Sequence, residues 1–179
     1  MKNIKFILFL CISITLLSCG DNDDSPEFTL TTANIAGNYE ISSIEVEEKE
    51  TATGSSGASV DISTTIEVGD SFDDVSFVMN ANGTFTATGK FRSVETLTTV
   101  NGGTSAPVSS IIVFDSAGSY TINSSENTIT FDETSGDFID GEFKVVTFTE
   151  NTVNITQEDM DVDGGITISS KESINLSRK

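Results

Sequence analysis

The chain has 179 residues, with 9 Lys+Arg against 28 Asp+Glu and a formal net charge of −19. That balance excludes the basic footprint of a nucleic-acid binder. With no His in the sequence, imidazole is excluded as base, proton shuttle or metal ligand. Of two Cys, one lies in a segment expected to be removed, so an internal disulfide in the mature chain is excluded too.

Residues 1–19 read MKNIKFILFLCISITLLSC. Lys2 and Lys5 form a positive start, and Phe6 to Leu17 is mostly apolar. That run is shorter than the roughly 20 residues needed to span a bilayer and fits a secretory signal peptide. It ends in Leu16-Leu17-Ser18-Cys19-Gly20, which resembles the bacterial lipobox. The resemblance implies cleavage after residue 18 and acylation of Cys19, giving a membrane tether made of several acyl chains at roughly 0.8 kcal/mol per buried CH₂. Removal of Lys2 and Lys5 leaves 7 − 28 = −21 charges on the mature chain. Residues 19–35 follow as an acidic, flexible tether. Within it, Asp21-Asn22-Asp23-Asp24 resembles the surface-export signal of Bacteroidetes lipoproteins. That implies an outer-membrane anchor facing the cell surface rather than the periplasm.

From residue 36 onward the sequence predicts strands. Val and Ile number 27 from Cys19 to the end, against three Leu, a bias toward pleated surfaces. Apolar residues alternate at period two: Tyr39/Ile41, Ile44/Val46 after a slip at Ser42-Ser43 that reads as a bulge, Val60/Ile62 and Ile66/Val68. The pattern continues with Val75/Phe77/Met79, Phe85/Ala87/Gly89/Phe91, Ile112/Phe114, Tyr120/Ile122 and Ile129/Phe131. It closes with Val146/Phe148, Val153/Ile155, Ile166/Ile168 and Ile174/Leu176. Turns are expected at Asn82-Gly83, the strongest short hairpin signal, at Asp115–Gly118, Ser124–Asn127 and Glu150-Asn151, and between Asp161 and Gly165. Longer loops are expected at Glu48–Ser59, Asn101–Pro107 and Thr134–Glu142, and a turn or helical piece at Asp70–Asp74. Nine or ten short-linked strands in one domain over 36–179 make an up-and-down antiparallel meander, which hides its edges by closing into a barrel of about 8–10 strands. A β-sandwich is the alternative.

Several of these segments resemble the lipocalin-like lipoproteins of Bacteroidetes. Ile35-Ala36-Gly37-Asn38-Tyr39-Glu40-Ile41 is similar to the family's opening Gly-x-Trp strand, with Tyr39 in place of Trp. Phe77 to Phe85, Gly118 to Ile122, Thr128 to Phe131, Val146 to Thr149 and Asn175 to Arg178 are similar to its later strands. The resemblance implies a small barrel with Arg178 over the aromatic at the closed end, and no catalytic residues.

The candidate ligand-binding residues are Phe77, Phe85, Phe91, Phe114, Tyr120, Phe131 and Phe148, which alternate with polar neighbours and should face one interior. That interior is either a packed core or a pocket for a small lipophilic molecule. Asp159-Met160-Asp161-Val162-Asp163-Gly164 imitates a calcium loop, but the twelfth position is Ser170 where a bidentate Glu is required, and an acidic hairpin explains Asp159, Asp161 and Asp163 equally. Asp132, Glu133, Asp137, Asp140 and Glu142 form a second acidic group, read as a solvated loop rather than a glycosidase pair. Asp115-Ser116-Ala117 resembles a Bacteroidetes O-glycosylation site, with Ser116 in an exposed turn. Ser-x-x-Lys and phosphate-loop motifs are missing, so neither an enzyme nor a cofactor is expected. Two functions stand: a tethered, monomeric barrel that binds a small apolar ligand or an envelope partner, or a structural or accessory surface lipoprotein with a packed barrel.

Overall fold

The computed structural model describes residues 28–54 and 57–179; the expected signal segment, Cys19 and the acidic run 21–24 lie outside the described residues. A one-turn helix α1 (Thr32–Ile35) leads into β1 (Gly37–Thr53), β2 (Ser59–Met79), β3 (Thr84–Thr99) and a two-residue β4 (Gly103–Thr104). Then come β5 (Val108–Asn123), β6 (Thr128–Ser135), β7 (Gly141–Phe148), β8 (Thr152–Asp163) and β9 (Ile166–Arg178). Each long strand pairs antiparallel with the next in sequence, and β9 returns to β1. The eight long strands therefore close an up-and-down barrel, with β4 paired only to the tip of β3. The expected closed meander is the observed fold, and the sandwich is not.

Period-two burial builds the core. Tyr39, Ile41, Ile44, Phe77, Met79, Phe85, Ile129, Phe131, Val153, Ile155, Ile174 and Leu176 all point inward and are buried. The slip at Ser42-Ser43 is a register shift between Ile41 and Ser43 against β9. Asn80 to Thr84 forms the expected hairpin, with Gly83 at φ 80° and its N–H donated to the Asn80 carbonyl at 3.0 Å. At the β8–β9 hairpin Gly164 and Gly165 take φ 58° and 87°, the left-handed pair that a two-residue turn requires.

One end of the barrel is plugged by the N-terminal segment. Thr31 caps α1 by accepting the Asn34 N–H at 3.2 Å, and Ile35 and Leu30 are buried. The Tyr39 hydroxyl donates to the Ile35 carbonyl at 2.6 Å and accepts from Arg178 Nη2 at 2.8 Å. The Arg178 guanidinium lies 5.3 Å from the Tyr39 ring centre, as the resemblance implies. The last eight residues of the expected tether, 28–35, thus belong to this plug: Phe28 packs on Phe148 with ring centres 4.7 Å apart.

Several elements differ from the sequence reading. Glu48–Thr53 is strand, not loop, because β1 keeps its pairing with β2 and β9 to its end. Asp70–Asp74 is neither turn nor helix: β2 runs through it with two bulges against β3, taken up at Ser71 (φ 53°) and Asp74 (φ 52°). No turn forms at Asp115–Gly118. Strand β5 passes straight through, pairing Ser116 with Ala87 and Gly118 with Phe85 on β3. The small residues there make room for neighbours: a Cβ on Gly118 would collide with the Asp132 carbonyl and come within 2.9 Å of Phe85 Cε1. In β7 the inward residues are Phe143 and Val145. Val146 therefore faces solvent by ordinary alternation, and the register shift between Val145 and Thr147 puts the half-buried Phe148 out of phase with it.

The barrel closes over only part of its length. β6 pairs with β5 from Ala117 onward, and β7 meets β8 no farther along than Thr156. Beyond those points β8, β9, β1, β2, β3 and β5 continue as a curved, open sheet of six strands. This extension projects from the end opposite α1. Gly118→Ala is expected to cost about 2 kcal/mol or more by overpacking, read as a lower midpoint in chemical denaturation. An unchanged midpoint would restore the turn reading.

Candidate functional site

Six of the seven proposed ligand-lining rings do share one interior. Phe131 sits centrally, with ring-centre distances of 5.2 Å to Phe85, 6.1 Å to Phe77, 6.3 Å to Tyr120 and 5.8 Å to Phe143. Nearer the extension, Phe91 lies 6.1 Å from Phe114 and 5.6 Å from Phe72. Phe114 in turn stacks on Phe138 at 4.2 Å. These separations are those of aromatic pairs in direct contact, so the rings fill the interior with one another. Phe148 is the exception, half-buried at the plugged end against Phe28. Sequence reasoning missed Phe138 and Ile139, which sit in the expected 134–142 loop. The Glu133 carboxylate accepts the Phe138 N–H at 3.1 Å and Asp140 accepts that of Glu133 at 3.0 Å. These bonds fold the loop inward, Ile139 becomes buried, and the gap beside β6 is covered.

The other candidates are dispersed. Asp159, Asp161 and Asp163 lie on strand β8, where alternate residues on one face are about 7 Å apart. They cannot converge on one ion as a calcium loop requires, and among the described residues no three acidic or thiol side chains form a metal-binding group. Of the second acidic group, Asp132 and Glu133 are in β6 and Glu142 in β7, so only Asp137 and Asp140 remain in a loop. Ser116 lies inside β5 at 1 % exposure, its hydroxyl without a hydrogen-bond partner and closed over by Gly136. A glycosyl group cannot be attached to it in the folded chain.

What the structure brings together instead is an acidic mouth where the barrel opens into the extension. Val46 on β1 pairs with Glu67 on β2 and with Glu172 on β9. Glu67 faces Glu95 on β3, and Glu172 faces Gln157 on β8. All continue the inward phase of Ile44, Ile155 and Ile174. Glu67 Oε1 accepts the hydroxyl of buried Ser93 at 2.6 Å. Glu172 rests on the apolar layer; burial, and then the charge of Glu67, push it up to about 7. The site can therefore take up one proton near neutrality and change the charge of the mouth. The signal is present in the sequence at Glu67, between Ile66 and Val68, but alternation alone turns the opposite face inward. In the extension it is Ile66 and Val68 that face solvent.

Compared with known proteins, the chain matches no family model, no curated protein and no solved structure.

Because the Glu172 carboxyl is raised from 4.5 to about 7, the folded state holds more protons than the unfolded state between those values. Stability then falls as pH rises through that window. Glu172→Gln is expected to flatten the decline between pH 5 and 8 and to add about 1–3 kcal/mol at pH 8, measured by denaturant titration across pH. A parallel decline in the variant would remove Glu172 as its source.

Proposed function

We propose that the chain is an envelope lipoprotein, tethered to the outer membrane through Cys19. In this reading the barrel is a solid stalk that presents its sheet extension to another envelope component rather than a carrier of a small apolar molecule. The observation that carries this reading is the mutual packing of Phe77, Phe85, Tyr120, Phe131 and Phe143, which occupies the volume a lipophilic ligand would need. The tether rests on the lipobox-like Leu16–Gly20 segment, and display at the cell surface on the acidic run 21–24. The N-terminal segment enters the barrel at the α1 end, so a membrane anchor there points the extension away from the lipid.

Gly37-x-Tyr39 with Arg178 at the closed end supports kinship with lipocalin-like barrels. A Cβ on Gly37 would press on the Arg178 guanidinium at 3.3 Å, so glycine gives that side chain its place against Tyr39.

The chain expressed in its own host, with and without Cys19→Ala, tests both halves. Wild type is expected in the membrane fraction with an intact mass equal to residues 19–179 plus its acyl chains, and the variant is expected to lose that mass and leave the membrane. Equal membrane retention of the two would overturn the tether. A stoichiometric lipophilic molecule in the solvent extract of the variant would overturn the solid barrel.

A further inference from the structure

The extension has two open edges, and they are built differently. On β8 the edge carries Glu158, Asp159, Asp161 and Asp163, the kind of charge that keeps edge strands from pairing with other chains. On β5 the edge is Val108-Ser109-Ser110-Ile111-Ile112-Val113-Phe114, paired with β3 on one side and reached by β6 only from Ala117. It lies at the end of a run without any charged side chain, residues 96–114. Apart from Phe114, which is buried against Phe138, its apolar side chains are open to solvent on both faces: Val108 is 66 % exposed, Ile111 62 %, Ile112 37 % and Val113 73 %. A neutral, β-branched strand with an unpaired backbone edge is a template for strand addition.

We infer that this edge pairs with the same edge of a second copy, antiparallel across a two-fold axis, joining two extensions into one continuous sheet. Three edge combinations exist. β8 against β8 sets four carboxylates against their own copies. β5 against β8 is heterologous and would grow into an open filament. Only β5 against β5 meets without charge and closes on itself. In a chain carrying −19 charges, this strip is where a second copy approaches without repulsion, which is why the occupant is a copy. The sequence reading expects a monomer; the edge assigns a dimer. This inference is independent of the membrane tether.

Directly opposed residues of an antiparallel pair are about 4.5–5.5 Å apart at Cα, within the range a disulfide spans. The test is a single-Cys scan in the full chain with Cys11 and Cys19 replaced by Ala. Cys is placed in turn at each position from Val108 to Val113, and at Met160 on the acidic edge, 67 % exposed, as control. Under mild oxidation the covalent dimer is expected to peak at one position of the scan, to be missing at Met160→Cys, and to be lost when Ser110→Lys is added. Uniform cross-linking that includes Met160→Cys, no dimer at any position, or cross-links only to a different protein would each overturn the inference. Ser110→Lys points into the polar inner phase beside Ser93 on β3. An unchanged thermal midpoint for this variant separates loss of pairing from loss of fold.

Discussion

The ring of Phe131 holds the molecule together. It touches aromatic rings from β2, β3, β5 and β7, so one side chain on the short strand β6 ties five strands around a common centre. Each such pair contributes roughly 0.5–1.5 kcal/mol beyond the area it buries. Burial itself contributes more, at about 25 cal/mol per Å² of apolar surface. β6 and β7 are the shortest barrel strands, at 8 residues each, and their backbone ladders alone are modest. Packing of Phe131 and Phe143 from inside is what keeps the barrel closed on that side.

Closure in turn divides the chain's polar character. Where β6 and β7 complete the wall, inward positions are apolar and buried. Where they stop, the same inward phase continues along the six longer strands but carries Glu67, Glu95 and Glu172. The first layer past the core is still dry enough to hold one carboxyl near neutrality. The outer face is laced by exposed ion pairs, such as Arg92–Asp70 at 2.6 Å level with the end of the core and Lys49–Asp61 at 2.9 Å farther out. Pairs of that kind add little stability. They place the few cations of an acidic chain beside carboxylates and leave the β5 edge as its neutral margin.

Much of the fold is legible in the sequence, because period-two alternation and glycine turns are local. Tyr39, Phe77, Phe85 and Phe131 can be assigned to one interior from spacing alone, and Asn82-Gly83 and Gly164-Gly165 name their hairpins. The errors arise where packing overrides local preference. Asp115-Ser116-Ala117-Gly118 has the composition of a turn, yet its small residues exist to admit Phe85 and the β6 backbone. Val146 alternates with Phe148 in sequence, but a bulge shifts the phase between them. Glu48 to Thr53 is too polar to suggest a strand and is one because β2 and β9 flank it. The mouth is hidden for the same reason: Ile66 and Val68 look like core residues until β2 is placed, and only then does Glu67 face inward.

Denaturant unfolding of Phe131→Ala tests the account most directly. Loss of a ring at the centre of a filled interior is expected to cost about 3–5 kcal/mol, with an unfolding slope unchanged from wild type. A cost under about 1 kcal/mol would contradict it, since that small a loss means the ring borders open space rather than holding five strands together.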